Sequence, residues 1–153
     1  MQIVFMEDLY GYYRELNPSG RCGRFDVQCR MRIDDPWRFL REGVSDLTGH
    51  VTMDGHAEEA AIEGFMRIDP VFGREAVYDF TFLSRDARYH FQGRKTFRWR
   101  CPLASPTMVT GVIEKDGITC GDVEAHFSLL DLPKWLSSFR VRWGLKKTTD
   151  AGA

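Results

Sequence analysis

Eight aromatic side chains are the residues of this sequence best suited to contact a ligand. They alternate with other residues along the stretches 74–83, 87–99 and 118–129, and they are Tyr78, Phe80, Phe82, Tyr89, Phe91, Phe97, Trp99 and Phe127. A period of two predicts β-strands and puts the aromatic side chains of each strand on one face. Such a face can line a cavity for a flat apolar molecule, which the tyrosine hydroxyls would orient, or it can be solid core.

The four histidines form no metal-binding motif, because no two share a strand at ligand spacing. They are His50, His56, His90 and His126. His90 and His126 alternate with aromatic residues and therefore belong to the opposite face. A catalytic histidine needs an orienting partner, and Asp79 and Glu124 are the candidates on neighbouring strands. Solvated surface histidines are the simpler interpretation.

Glu63 and Asp79 interrupt apolar runs on two strands that we expect to be neighbours. Opposed carboxylates can do acid–base chemistry when they are buried together. Pairing with Arg67 or Arg74, or exposure to water, is the simpler expectation. A cofactor-free isomerase or cyclase would need a polar residue deep in an apolar cavity, such as Tyr89 or Glu63.

Arginines are interleaved with aromatic residues at 97–100 and 140–143. This pattern is found in proteins that bind single-stranded nucleic acid, but the formal net charge of −1 argues against such a partner. A homodimer surface built on arginine–aromatic stacking is the better explanation.

The chain carries no cofactor motif, and we assign no catalytic residue, metal or cofactor. None of the 4 cysteines belongs to a C-x-x-C pair, so a zinc site is not expected. The first eight residues, 1–8, lack a basic segment and include acidic residues, unlike a signal peptide. No apolar run reaches the length of a membrane span. We therefore expect a cytoplasmic protein with free thiols.

The strands that position these residues are organised around the stretch 24–33, where apolar and polar residues alternate without a break. Similar patterns predict nine strands, at about 2–14, 22–33, 47–53, 58–68, 74–83, 87–99, 107–114, 118–129 and 138–143. Gly11 indicates a bulge or a close backbone approach, and Gly93 an interruption. Asp54-Gly55 and Asp116-Gly117 are hairpin turn signals.

Two short helices are predicted between strands. Asp35 can cap the first, Pro36 fits its first position, and Gly43 fits its end. The side of this helix expected to face the core carries Trp37, Leu40 and Val44. The second helix is expected at 131–136, which opens with the same Asp-x-Pro pattern.

These elements predict an all-β protein, an antiparallel up-and-down β-barrel that is lipocalin-like. Nine strands joined by short links would expose long edges in an open sheet, and closure removes those edges. Residues 1–145 are expected to form a single domain, and 146–153 a flexible C-terminal tail. The 13% aromatic content suits the interior of a barrel.

Several short motifs across residues 3–143 resemble one known domain. They are Phe5-Met6-Glu7-Asp8-Leu9-Tyr10-Gly11-Tyr12, Ile33-Asp34-Asp35-Pro36-Trp37-Arg38-Phe39-Leu40, Leu47-Thr48-Gly49-His50-Val51, Glu63-Gly64-Phe65 and Tyr89-His90-Phe91-Gln92-Gly93-Arg94-Lys95. That domain accompanies cholesterol-oxidase-like oxidoreductases of the glucose–methanol–choline family and some α/β-hydrolase-type esterases. The flavin fingerprint G-x-G-x-x-G and the hydrolase elbow G-x-S-x-G are both missing, so no catalytic residue carries over. The resemblance implies a stand-alone accessory barrel linked to sterol or lipid metabolism, with an oxidoreductase or esterase as partner.

The leading functional prediction is therefore a non-catalytic barrel that binds a small hydrophobic ligand, lipid-like or sterol-like. Two alternatives stay open. One is a protein-interaction or dimerisation module without a ligand, and the other is a cofactor-free enzyme of the isomerase or cyclase type. Nucleic acid and a membrane span are not expected.

Overall fold

A computed structural model of the 153-residue chain describes residues 1–68, 75–96, 108–127 and 137–143. The described residues form nine strands and one short helix, α1, at Pro36–Glu42. The strands are β1 Gln2–Glu15, β2 Cys22–Ile33, β3 Val44–Met53, β4 Ala57–Ile68, β5 Glu75–Ser84, β6 Ala87–Thr96, β7 Met108–Lys115, β8 Ile118–His126 and β9 Arg140–Arg142.

The first eight strands form a closed antiparallel barrel. Each strand from β1 to β8 pairs with the next, and β8 pairs back with β1 from Tyr10↔His126 to Glu15↔Gly121. The additional strand β9 pairs with the beginning of β1, from Gln2↔Arg142 to Val4↔Arg140. The predicted up-and-down barrel is therefore confirmed.

Strand β1 changes neighbours halfway along its length. One edge pairs with β2 over almost the whole strand, while the other edge pairs first with β9 and later with β8. Between these two partners, the Met6 backbone N–H donates to Ser138 Oγ at 2.9 Å, and that hydroxyl donates to the Met6 carbonyl at 3.4 Å. The Ser138 side chain thus replaces part of the missing ladder.

The alternation in β2 puts its apolar side chains inside the barrel. Phe25, Val27, Cys29, Met31 and Ile33 are all buried, whereas the residues between them are exposed or half-buried. The other barrel strands alternate in the same way, apart from the additional buried residues Val4 and Asp8 in β1 and an irregularity in the β3–β4 ladder between Val51 and Met53, and their inward residues meet in one core. Burial of this face is the main contribution to the stability of the barrel.

The two ends of the barrel differ. We call one the hairpin end, because it is formed by the tight turns at 54–56, 85–86 and 116–117. Both turn residues Arg85 and Asp86 have positive φ values, 50° and 63°, as a two-residue hairpin turn of type I′ requires. The opposite end carries α1 and the start of β1, and we call it the helix end.

Helix α1 has the predicted caps but presents a different side to the core. The Asp35 carboxylate accepts hydrogen bonds from the backbone N–H groups of Trp37 at 3.0 Å and Arg38 at 3.1 Å, and Gly43 ends the helix at φ 70°. The prediction that Trp37, Leu40 and Val44 face the core is wrong, because all three are exposed. Phe39 packs against the core instead, and a turn of about 100° per residue leaves little else of so short a helix near the barrel.

Two glycines in the strands allow close packing. A Cβ on Gly11 would lie 2.0 Å from the Glu124 carbonyl oxygen, so Gly11 marks a close backbone approach and β1 continues through it. The predicted interruption at Gly93 is wrong, because β6 also runs straight through it. A Cβ there would lie 2.5 Å from the Phe91 ring, so the missing side chain makes room for that ring.

Some predictions lie outside the described residues. They concern the strand residues 97–99 and 128–129, the second helix at 131–136 and the tail at 146–153. Cys22, Cys29 and Cys120 are free thiols, as expected. Within the described part of the chain, no helix is long and apolar enough to cross a membrane.

Candidate ligand-binding site in the barrel interior

Five of the eight predicted ligand-binding aromatics lie in the barrel interior, each exposed by 3% or less. They are Tyr78, Phe80, Phe82, Tyr89 and Phe91. Phe127 is partly buried and packs against the core. Phe97 and Trp99 lie outside the described residues. Contact of these side chains with a ligand stays a prediction.

Most of the interior rings pack against one another. Phe82 and Tyr89 stack with centroids 4.9 Å apart and planes 2° apart, and Phe80 lies 4.9 Å from Phe91. Phe25 joins the group at 5.3 Å from Phe91. These rings occupy the interior from its middle to the hairpin end.

A charged pair lies inside the same barrel, closer to the helix end. The Lys95 ammonium is paired with one carboxylate oxygen of Glu7, and the Tyr78 hydroxyl donates to the other at 3.0 Å. The side chains of Glu7 and Lys95 are only 5% and 8% exposed. The Lys95 ammonium also lies 5.5 Å from the centroid of the Phe127 ring. We call Glu7, Tyr78 and Lys95 the polar centre.

Strand alternation explains why these charges point inward. Glu7 occupies an inward position of β1 between Phe5 and Leu9, which are both buried. Lys95 likewise occupies an inward position of β6. It is paired across the ladders with Ala76 on β5 and Val109 on β7. Both charges are therefore set among apolar side chains.

The polar centre is hard to explain by stability alone. Removing two charges from water costs several kcal/mol per ion, and apolar replacements of buried ion pairs are often neutral or stabilising. The gain in folding free energy from this pair is therefore not a sufficient reason for its place in the barrel.

The neighbouring ionisable groups stay neutral. Burial, followed by the charge of Glu7, raises the pKa of Tyr78 well above its usual value. The pKa of the Cys29 thiol, which is opposite Glu7 in the β1–β2 ladder, is raised well above its usual value by the same two causes in the same order. The interior thus presents a compact ion pair beside a neutral phenol and a neutral thiol.

Neither Glu7 nor Lys95 was predicted from the sequence to be a site residue. Strand alternation was the feature of the sequence that could have identified them. Glu7 lies on the same face of β1 as Phe5, and Lys95 lies on the same face of β6 as Phe91 and Gly93, so both side chains point inward. Glu63, which was considered as a buried polar residue, is exposed on the outer face of β4.

A second polar group closes the hairpin end. His56 contacts the Tyr89 hydroxyl through Nδ1 and Glu15 Oε1 through Nε2, both at 3.0 Å. Hydrogen bonds from Asn17 and then His56 lower the pKa of Glu15. A cavity of about 230 Å³ beside this group is lined in part by Lys115 and by Glu15 itself. From the sequence, His56 was expected to be a solvated surface histidine, but it is half-buried.

A third polar group lies on the outer face. His90 Nε2 is 2.7 Å from Asp79 Oδ1, and the Gln92 side-chain amide donates to Asp79 Oδ2 at 2.9 Å. Glu114 lies 3.6 Å from the other ring nitrogen of His90. Asp79, one of the two candidate histidine partners named from the sequence, thus contacts His90, and among the described residues Asp79 forms no ion pair with Arg67. This group is separated from the interior by the sheet.

Two open grooves also lie on the outer surface, with volumes of about 810 Å³ and 760 Å³. The first is lined in part by Arg30, His50 and Leu83, and the second by Tyr12 and Glu124. Within the described ranges, no group of three or more histidine, cysteine, aspartate or glutamate residues is arranged to hold a metal ion.

No family model matches the chain, and no curated protein and no solved structure is significantly similar to it.

Proposed function

We propose that this protein is a lipocalin-like, non-catalytic barrel that binds an uncharged amphipathic molecule, a lipid or a sterol-like compound with a hydroxyl or carbonyl head. The buried pair of Lys95 and Glu7 carries this proposal. The head group would bind at the polar centre, and the apolar body would extend toward the helix end.

The chemistry of the polar centre favours an uncharged head group. Lys95 supplies donors and Glu7 supplies acceptors, so a ligand hydroxyl can both accept and donate there. The two charges already balance each other. A carboxylate or an ammonium on the ligand would add a buried charge without a partner, at a cost of several kcal/mol.

The helix end is the side from which a ligand would approach. Lys95 is the next-to-last residue of β6, and Tyr78 is the fourth residue of β5, so both lie near that end. Partly buried apolar side chains pack against the core there, namely Ile3, Phe39, Ile68 and Phe127. The opposite route is filled by the interior rings and by the contact of His56 with Tyr89.

The resemblance to an accessory domain of oxidoreductases and esterases agrees with a lipid-like ligand, and such an enzyme is the partner we propose. Affinity purification of the tagged chain from its own cells, followed by mass spectrometry, tests the partnership. Recovery of neither class of enzyme would contradict it.

The ligand proposal is tested with matched pairs of compounds, 1-hexadecanol against hexadecane and cholesterol against 5α-cholestane. A hydrogen bond to a charged group contributes about 1.5–3 kcal/mol, so the unmodified protein should prefer each alcohol by roughly 10-fold or more. The variant Glu7→Leu/Lys95→Met removes both charges together. Its affinities for the alcohol and the alkane should agree within about 2-fold, because no charged partner remains for the hydroxyl.

A matched control removes polar groups on the other side of the sheet. The variant Asp79→Asn/His90→Gln changes a polar pair on the outer face and should keep the preference for alcohols. Equal affinity of the unmodified protein for alcohol and alkane, or a preference that survives the loss of both charges, would overturn the proposal.

The polar centre also favours a second candidate, a cofactor-free isomerase. Glu7 could take a proton from the α-carbon of an apolar ketone and return it to the γ-carbon, while Lys95 and Tyr78 donate hydrogen bonds to the carbonyl oxygen. Turnover of a β,γ-unsaturated sterol ketone to the conjugated isomer, lost in Glu7→Gln, would support this function. Absence of turnover by the unmodified protein would exclude it for this substrate class.

A further inference from the structure

Two tryptophans protrude into solvent at the helix end. Trp37 on α1 is 81% exposed and Trp143 after β9 is 78% exposed. Leu40 and Val141, one on each of the same two elements, are also more than half exposed. Tryptophan side chains are seldom this exposed without a partner, because the ring offers a large apolar area.

The two tryptophans belong to one continuous rim. Arg142 pairs with Gln2 in the β1–β9 ladder, which puts Trp143 beside the start of β1. The Gln2 side chain donates to Asp34 Oδ1 at 2.6 Å, just before the capping residue of α1. The end of β9 and the beginning of α1 are thus joined through Gln2.

Cationic side chains flank the tryptophans on this rim. Arg67 lies beside the end of α1, because the backbone N–H of the following residue, Ile68, donates to the Gly43 carbonyl at 2.8 Å. Neither Arg67 nor Arg142 forms an ion pair with any residue in the described ranges. By contrast, the acidic residues nearby are already engaged. Asp34 and Asp46 are paired with Arg32, Glu42 is paired with Arg38, and Asp35 caps α1.

We infer that this rim docks the helix end onto the surface of an anionic lipid bilayer. We define the rim patch as Trp37, Leu40, Arg67, Val141, Arg142 and Trp143. Tryptophan rings settle at the headgroup level of bilayers, and arginine binds lipid phosphates bidentately. Basic residues near an anionic bilayer each strengthen binding several-fold.

The tryptophans of the rim patch protrude into solvent and are accessible to a flat partner. Neither of them lines the outer grooves, the small cavity at the hairpin end or the cleft beside α1. The side chains protrude from two elements at one end of the barrel, as residues that insert into a bilayer surface do. This inference deepens the proposed function by naming the bilayer as the source of the ligand, but its test uses vesicles without added ligand.

The experiment measures binding of the full chain to sedimented vesicles of phosphatidylcholine, with or without one quarter phosphatidylglycerol. We expect at least about 10-fold stronger binding to the anionic vesicles. The variant Trp37→Ala/Trp143→Ala should lose at least about 5-fold of that affinity. The variant Arg67→Glu/Arg142→Glu should lose at least about 20-fold and remove the preference for anionic lipid.

The opposite end of the barrel offers a matched control. Leu83 and Ile118, at the hairpin end, are each 73% exposed. The variant Leu83→Ala/Ile118→Ala should bind vesicles within about 2-fold of the unmodified protein, because the patch is intact.

Several results would overturn the inference. One is no binding to anionic vesicles, and another is unchanged binding by the tryptophan variant. A dimer in ultracentrifugation that the tryptophan variant abolishes, without vesicle binding, would assign the patch to a second copy of the chain. Vesicle binding together with equal affinity for alcohols and alkanes would leave this inference standing and overturn only the proposed ligand.

Discussion

The Lys95 ammonium is paired with the Glu7 carboxylate inside the barrel, although 88 positions separate the two residues in the sequence. Glu7 lies in the first strand and Lys95 in the sixth, so their pairing crosses the interior of the barrel. The pair is the feature that distinguishes this interior from an ordinary apolar core.

Removing one charge of the pair should destabilise the folded protein much more than removing both charges. Lys95→Met leaves the Glu7 carboxylate buried without its cation, and we expect a loss of about 3–5 kcal/mol in the free energy of unfolding. Glu7→Leu/Lys95→Met should lie within about 2 kcal/mol of the unmodified protein, because no charge remains buried there. Urea unfolding measures both values. A double variant less stable than Lys95→Met would contradict this account.

The Tyr78 hydroxyl should stabilise the folded protein at neutral pH, and this stabilisation should be lost at alkaline pH. Tyr78→Phe removes the hydrogen bond to Glu7, which should cost about 1.5–3 kcal/mol at pH 7. Because the folded-state pKa of Tyr78 is raised above its ordinary value of 10.0, its contribution is complete below pH 10 and is lost as the pH rises beyond it.

The unmodified protein should therefore lose more stability than Tyr78→Phe between pH 9 and pH 11. Urea unfolding across this range measures the difference. The exposed Tyr12 offers a control, because Tyr12→Phe should leave the alkaline profile unchanged. Equal alkaline losses in Tyr78→Phe and the unmodified protein would show that the phenol does not face Glu7.

The two cysteines of β2 should differ in reactivity. Cys22 is exposed, whereas Cys29 is buried and the pKa of its thiol is raised, so little thiolate forms. Alkylation by iodoacetamide at pH 8, mapped by mass spectrometry, should modify Cys22 at least about 100-fold faster. In denaturant the two should react alike. Similar rates in the native protein would mean that the alternation of β2 is not inward at Cys29.

Glu15 should make the hairpin end sensitive to acid. The pKa of Glu15 is lowered from its ordinary value of 4.5, first by the hydrogen bond from Asn17 and then by His56. The folded state therefore holds this proton less tightly, and the stabilisation is complete above pH 4.5 and lost as the pH falls below it. Glu15→Gln should lose less stability than the unmodified protein between pH 6 and pH 3.

The free energy of unfolding at these two pH values measures the effect, and Glu58→Gln, an exposed carboxylate on β4, serves as the control. If Glu15→Gln and Glu58→Gln changed the acid profile equally, the contacts of Glu15 with Asn17 and His56 would have no special role.

The fold was predictable because strand alternation is a local property. The bounds predicted for the second strand, 22–33, match β2 at both ends, and the signals at Asp54-Gly55 and Asp116-Gly117 both fall in tight turns. The caps of α1 were predictable for the same reason, since Asp35 and Gly43 act within one turn of the helix.

The polar centre was not predictable, because it depends on contacts across the barrel. Alternation puts Glu7 and Lys95 on inward faces, but their meeting depends on the tilt and closure of eight strands. The side of α1 that meets the core is likewise a tertiary property. Its caps fix where the helix begins and ends, yet only the docking of Phe39 decides which side turns to the barrel.

The most direct test of the central claim is the nuclear magnetic resonance signal of the Lys95 side chain, labelled with ¹³C at Cε and assigned with Lys95→Met. Addition of 1-hexadecanol should shift this signal until binding saturates, while hexadecane should leave it nearly unchanged, because only the alcohol reaches the ion pair with a polar group. A Lys95 signal that stays constant while 1-hexadecanol binds, or that responds equally to both compounds, would contradict recognition of a ligand by the polar centre.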